Sequence, residues 1–161
     1  MEGLGYDPTT QSLLLALKGK AKIKSDQELK KSKAVYTFSI ATEICSEEPF
    51  LVISDDALED FVNKAYVNRN NDVHKSRLKR AKSFAPSAVA KHPTEDNYYL
   101  LSSVGRLMLV VNNKSEIISL DFLDGDIHVQ PEGICFGDDG DLYISNEGRF
   151  GIARIFRFNV M

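Results

Sequence analysis

Cysteine, long apolar runs and an excess of charge of one sign are all scarce in this chain, and each scarcity closes off a class of protein. Two cysteines stand ninety positions apart, Cys45 and Cys135. They are too few and too isolated for a disulfide framework or a zinc cluster. Cys135 lies within an apolar strand pattern and reads as a small buried residue. No apolar stretch approaches the ~18 residues that a membrane-spanning helix needs. The first residues, MEGLGYDPTT, lack a basic segment followed by an apolar one, so no export signal is visible. Lysine plus arginine total 20 against 23 for aspartate plus glutamate, a net charge of -3. A field that weak does not gather nucleic acid or acidic lipid, and no nucleic-acid partner is expected.

Motifs that announce chemistry are absent as well. There is no G-x-S-x-G elbow, no H-E-x-x-H, no C-x-x-C and no phosphate loop of the form G-x-x-x-x-G-K-[ST]. Gly3 and Gly5 begin a G-x-G, but Pro8 stands where the third glycine of a dinucleotide loop belongs. The acidic stretches DFLDGDIHVQPE (121 to 132) and DDGDLYISNEG (138 to 148) miss the glycine that an EF-hand loop requires, and read instead as hairpin loops. His74, His92 and His128 each stand alone, with no neighbour at ligand spacing.

What the chain does contain is a repeat. With 161 residues, 43% of them hydrophobic and 27% charged, it has the make-up of one soluble domain. Residues 131 to 149, PEGICFGDDGDLYISNEGR, run through a Glu-Gly pair, an apolar run, an Asp-Gly turn, a second apolar run and a closing Gly-Arg. The same order appears in EGLGYDPTTQSLLLALKGK (2 to 20), and in PSAVAKHPTEDNYYLLSSVGR (86 to 106), where Ser87-Ala88 replaces Glu-Gly. A third strand follows each copy, in AVYTFSI (34 to 40), RLMLVV (106 to 111) and FGIARIFRF (150 to 158). A fourth fits PFLVIS (49 to 54) and SEIISLDFL (115 to 123), whereas the last copy stops at Met161 before one. The second and third copies begin at 87 and 132, 45 residues apart, within the roughly 40 to 50 residues of a propeller blade.

The predicted fold class is therefore all-β. It consists of antiparallel meander blades of a β-propeller over about 2 to 54, 86 to 123 and 131 to 161, each of four strands where the chain allows. A helical insertion is predicted over about 55 to 82, in the inter-blade segment 55 to 85. Ser54 or Asp55 is its predicted cap, Asp56 and Glu59 are spaced like a capping box, and Leu58, Phe61, Val62 and Ala65 share a helical face. Its basic tail, HKSRLKRAK, and the lysine-rich loop 18 to 33 read as solvated, since no aromatics interleave to stack bases. Three blades cannot close a ring, because propellers run from about four to eight. A second copy completing the ring is expected to cover the two open ends.

The segments EGLGYDPTTQSLLLALKGK, PSAVAKHP, LLSSVGRLMLVV and QPEGICFGDDGDLYISNEGR resemble the SdiA-regulated, YjiK-like family of β-propeller proteins over nearly the whole chain. The resemblance implies a six-bladed ring, of which this sequence matches the C-terminal half, and an extracytoplasmic, envelope-associated location. It implies no settled activity.

The repeat itself nominates a site. Glu2 and Glu132 occupy equivalent places at the start of a blade's innermost strand, so ring closure aims both at one axial pocket. Converging carboxylates repel unless a cation or proton is shared. A Ca²⁺ ion held by oxygen ligands relieves that, with Asn146 and Ser103 of the second strands as further donors. Propellers of the paraoxonase and gluconolactonase type, which this architecture is similar to, place a metal there. Two functions of different classes follow. The preferred one is a non-catalytic scaffold binding a protein, glycan or small ligand. The alternative is a metal-dependent hydrolase of the lactonase type, for which the sequence offers only His92 and His128 as general bases.

Overall fold

A computed structural model describes residues 2 to 19, 31 to 67, 71 to 148 and 151 to 159. Among these residues, twelve strands form three antiparallel sheets, and two helices lie between the first and second. Sheet 1 comprises β1 (Gly3–Asp7), β2 (Ser12–Leu17), β3 (Ser32–Ser39), β4 (Ile44–Cys45) and β5 (Leu51–Ser54). After helices α1 (Asp55–Tyr66) and α2 (Asn71–Lys82) comes sheet 2, with β6 (Ala88–Lys91), β7 (Asn97–Ser102), β8 (Leu107–Asn112) and β9 (Ile117–Phe122). Sheet 3 has β10 (Pro131–Phe136), β11 (Leu142–Asn146) and β12 (Arg154–Phe158). Sheets 2 and 3 are meanders in which sequence neighbours pair, and sheet 1 departs from this only in β5, which pairs with β3.

Turn chemistry sets the hairpins. Asp7 accepts hydrogen bonds from the amides of Thr9 (2.9 Å) and Thr10 (3.4 Å), which closes the β1–β2 turn around Pro8. Between β10 and β11, Gly140 adopts a φ of 86° and Asp139 accepts the amide of Asp141. The acidic stretch 121 to 132 is not a hairpin loop: its residues 123 to 130 carry the chain from β9 to β10, from one sheet to the next. In sheet 1 the expected fourth strand is split. Both β4 and β5 pair with β3, and Pro49 between them lacks the amide that an unbroken ladder needs.

Alternation of side chains then stacks the sheets. Leu14, Ala16 and Val35 of sheet 1 meet Val89, Leu100, Leu109 and Val111 of sheet 2 in one core. Ala88 and Leu101 on the other face of sheet 2 meet Ile144 of sheet 3. The innermost strands approach closely. A Cβ on Gly3 would stand 3.1 Å from the Ala88 Cα, and one on Gly5 would overlap the Val89 carbonyl oxygen.

The predicted helical insertion is present as two helices, and it is part of the core. Ser54 caps α1 by accepting the Ala57 amide at 3.1 Å; the Asp56–Glu59 capping box does not form, because Asp56 already lies inside the helix. Leu58 and Val62 are fully buried beside Ala81 and Phe84, while Ala65 on the same predicted face is exposed. The basic tail is not all solvated. Arg80 donates to the carbonyls of Gly105 (2.8 Å), Leu123 (2.8 Å) and Arg106, and the Arg77 and Arg80 guanidinium groups lie over the Phe122 ring. Burial, with Arg77 and Arg106 nearby, lowers the pKa of Arg80. Most of the lysine-rich loop lies outside the described residues. Both cysteines are exposed, Cys135 because its place in β10 opposite Tyr143 faces away from sheet 2.

Candidate functional site: the mouth of the inner strands

The starts of β1, β6 and β10 come together at one end of the stacked sheets, and each start carries a polar residue: Glu2, Ser87 and Glu132. Ser87 is buried and spends its hydroxyl on the carbonyls of Leu101 (3.3 Å) and Pro131 (3.1 Å), so it ties sheet 2 to sheet 3. Glu132 stands at an irregularity of register between Pro131 and Gly133, the kind of bulge that re-aims a side chain. Its carboxylate accepts from Gln130 at 3.4 Å.

The two glutamates share a counter-charge from within the chain. The Lys18 ammonium makes an ion pair with Glu2 at 2.6 Å. Its pKa is raised, first by the hydrogen bond to Glu2, which outweighs the opposing effect of burial, and then by the charges of Glu2 and Glu132. Both partners are well exposed, so this pairing orders the mouth without adding much stability.

Glu132 faces two clefts. One, of about 430 Å³, is lined by Lys18, Arg80, Ser103, Arg106 and Gln130. The other, of about 490 Å³, is lined by Ser145, Asn146, Glu147 and Arg154. Asn146 and Ser103 therefore lie in different clefts and do not converge. The pairs Ala88–Leu101 and Gly133–Ser145 show why: the counterpart of Asn146 is Ser102, and Ser103 already belongs to the following turn. Ser102 is buried, with its hydroxyl accepting the amides of Ala85 (3.1 Å) and Gly105 (3.4 Å).

Asn146 is the unusual residue. It is 7% exposed, its Nδ2 donates to His128 Nδ1 at 3.3 Å, and its Oδ1 has no hydrogen-bond partner. Buried amide oxygens rarely go unpaired without a reason. That geometry leaves the His128 proton on Nε2. Burial lowers the His128 pKa, only partly offset by Asp124, so the imidazole is neutral at pH 7. The ring packs against Phe156 and Phe158. His92 sits at the other end of β6, where its Nδ1 accepts the amides of Thr94 (3.3 Å) and Glu95 (3.0 Å).

Glu132 and Asn146 line one cleft, and their side chains carry hard oxygens, the donor type that Ca²⁺ takes. They supply two of the roughly six to eight oxygens such an ion binds. Among the described residues, no group of three His, Cys, Asp or Glu side chains is placed to hold a metal.

Sequence reasoning missed Lys18 and the Asn146–His128 pair. Lys18 was not legible from the register: pairing Gly3 with Ala16 sets Glu2 opposite Leu17, and Lys18, one residue further on, falls on the other face of a regular ladder. Nothing in the spacing of Asn146 and His128 announces their contact, which depends on how the β9–β10 connection folds back over sheet 3.

No protein-family model matches the chain, and no curated protein matches it significantly. Among solved structures, a luciferin-regenerating enzyme is similar, with a TM-score of 0.53 and 11% sequence identity. The match covers 99% of this chain and 45% of that one. The likeness shows the fold alone, a propeller-like stack of antiparallel sheets; the chain spans less than half the length of the structure it matches.

Proposed function

We propose that the three sheets are blades of a six-bladed propeller, related to the SdiA-regulated proteins, and that the chain is a non-catalytic binding module whose ligand seat is the inner-strand mouth. The observation that carries this reading is that Asn146, whose Oδ1 is buried and without a hydrogen-bond partner among the described residues, lines the same cleft as Glu132. A carboxylate and an unpaired amide oxygen on residues that line one cleft suit a cation or the hydroxyl of a glycan or other small ligand. In this proposal Ca²⁺ is taken by Glu132 and Asn146, while Lys18 neutralises Glu2. Further blades would supply the remaining oxygens, and a second copy of the chain is the proposed source. An envelope location goes with this reading through the family resemblance; among the described residues no helix is long and apolar enough to cross a membrane.

The lactonase-type alternative is weaker on two observations. His128 Nδ1 already accepts from Asn146, and His92 Nδ1 is taken up by a turn at the far end of β6. Neither offers a free basic nitrogen beside the cleft.

Calcium titration tests the seat. At a hundredfold excess over its dissociation constant the ion stabilises the fold by about 2.7 kcal/mol. Glu132→Gln keeps the shape, removes one charge and abolishes most of that gain while leaving the ion-free melting unchanged. Melting indifferent to Ca²⁺ and chelator ends the cation reading. Turnover of lactones or aryl esters that chelator suppresses ends the non-catalytic one.

A further inference from the structure

The cleft of about 430 Å³ at the mouth draws its walls from all three sheets and from the insertion. Lys18 follows β2, Arg80 lies in α2, Arg106 ends the β7–β8 turn, Val129 belongs to the β9–β10 connection and Glu132 to β10. The turn is held from several sides. The Arg106 amide donates to the Ser103 carbonyl at 3.2 Å, and the Gly105 amide to the Ser102 hydroxyl at 3.4 Å. The Leu123 amide donates to the Arg106 carbonyl at 2.8 Å. A wall fixed in this way needs little ordering when something binds to it.

Cations outnumber carboxylates in this cleft. Lys18, Arg80 and Arg106 line it, against Glu132 as the sole carboxylate among the described lining residues. Lys18 is paired to Glu2, and Glu132 accepts from Gln130. Arg80 donates from Nε and Nη2 to the carbonyls of Gly105, Arg106 and Leu123, which leaves its Nη1 uncommitted among the described residues. Arg106 is exposed, and its Nη1 rests on Gly125. Asp124 and Asp126 flank that glycine, where the Asp124 Oδ1 accepts the Asp126 amide, and among the described residues neither forms an ion pair with Arg106. The bond from Arg80 to the Arg106 carbonyl sets the two arginines side by side. Their mutual repulsion, with that of Arg77, adds to burial in lowering the Arg80 pKa. Converging guanidinium groups are relieved by a shared anion. Val104 and Val129, both exposed, line the same cleft.

We propose that this cleft is an oxyanion site for a small organic acid, a carboxylate or a phosphate monoester. The charged end lies between Arg80 and Arg106, and the apolar body lies on Val104 and Val129. Guanidinium forks match the oxygens of either acid, and the volume falls within the roughly 300 to 1,000 Å³ of small-ligand sites. The site is distinct from the cation seat: it uses the other cleft beside Glu132, takes charge of the opposite sign, and stands whether or not Ca²⁺ binds.

The probes are benzoate and phenyl phosphate, with benzyl alcohol as the uncharged control, titrated into the full chain with chelator present and followed by amide NMR shifts. At least one of the two acids should give saturable shifts confined to residues 103 to 106 and 129 to 132, and the one that binds more tightly tells carboxylate from phosphate. The binding should weaken as salt is added. Arg106 has a φ of 46°, which asparagine tolerates, so Arg106→Asn removes the charge and keeps the turn. It should weaken binding at least tenfold, the loss of a charge-assisted hydrogen bond. Lys75→Gln, the same loss of charge at an exposed place on α2 outside the cleft, should change it less than twofold. Glu132→Gln should tighten the acid, the reverse of its expected effect on Ca²⁺. No saturable shift at about 10 mM of either acid overturns the proposal. So does benzyl alcohol binding as well as the acids, Arg106→Asn binding like the unaltered chain, weaker binding by Glu132→Gln, or binding seen only with Ca²⁺.

Discussion

At the scale of single residues, Gly3 and Gly5 of β1 leave no room for a larger side chain, and one titrating group ties the mouth to the fold. Gly5→Ala drives a methyl into the Val89 carbonyl, backbone against backbone, and neither sheet can yield without losing ladder bonds. We expect a loss of about 1 to 3 kcal/mol, read as a lower denaturant midpoint; an unchanged midpoint refutes the close packing of β1 on β6. For His128, burial depresses the folded pKa below the ordinary 6.5. The unfolded chain then binds a proton that the folded chain resists as pH falls through 6.5. Its share of stability is complete above that pH and is lost as pH drops toward the folded pKa. The denaturant midpoint should therefore decline from pH 7 to pH 5, and His128→Gln should flatten that decline. Parallel profiles for the two proteins would show that the imidazole does not titrate in this way.

Elements are joined by a few polar groups laid into apolar seams. The Tyr98 hydroxyl on β7 donates to Asp7 Oδ2 at 3.2 Å, with Asp7 2% and Tyr98 3% exposed, so one buried bond fastens the end of β1 to sheet 2. Burial first, then the Asp7 charge, raises the Tyr98 pKa, which keeps the hydroxyl protonated and donating. Tyr98→Phe keeps the ring and strands the carboxylate oxygen, for a loss of about 1 to 3 kcal/mol; a neutral result in chemical denaturation contradicts that. Arg80 does the same for α2 with three carbonyls of sheet 2. Lysine cannot reproduce its planar fork. Arg80→Lys should therefore cost about 2 to 3 kcal/mol, and denaturation indistinguishable from the unaltered protein would reduce Arg80 to a surface cation.

For the whole molecule, the open question is what covers the outer face of sheet 1. Leu4 and Tyr6 are 58% and 50% exposed there, and Leu13, Leu15, Tyr36 and Phe38 lie on the same face by register. That is an apolar surface of the kind soluble monomers avoid. The opposite end is milder, with Tyr143 under Arg157 and Arg157 paired to Asp139 and Asp141. In the proposed closure by a second copy, the apolar end of one chain packs against the milder end of the other. Light scattering at low micromolar concentration should then give twice the 18.0 kDa of the chain, and Leu15→Asp should return it to a monomer. A monodisperse 18.0 kDa particle from the unaltered chain rules the pairing out.

The sequence by itself determined the repeat. Turn residues such as Asp7-Pro8, apolar alternation in SLLLAL and the 45-residue spacing are local patterns, and strands and hairpins are made by local patterns. Ser54 as a helix cap and the end of the last strand at Phe158 were legible for the same reason. Only the tertiary structure decided which polar groups meet. Lys18 between Glu2 and Glu132, Asn146 against His128 and Arg80 on sheet 2 all join segments whose distance is set by how the sheets stack. It also reversed the reading of Cys135, because alternation fixes that two faces exist and says nothing of which one a neighbouring sheet covers. A strand records its own period; its partners are recorded only in the packing.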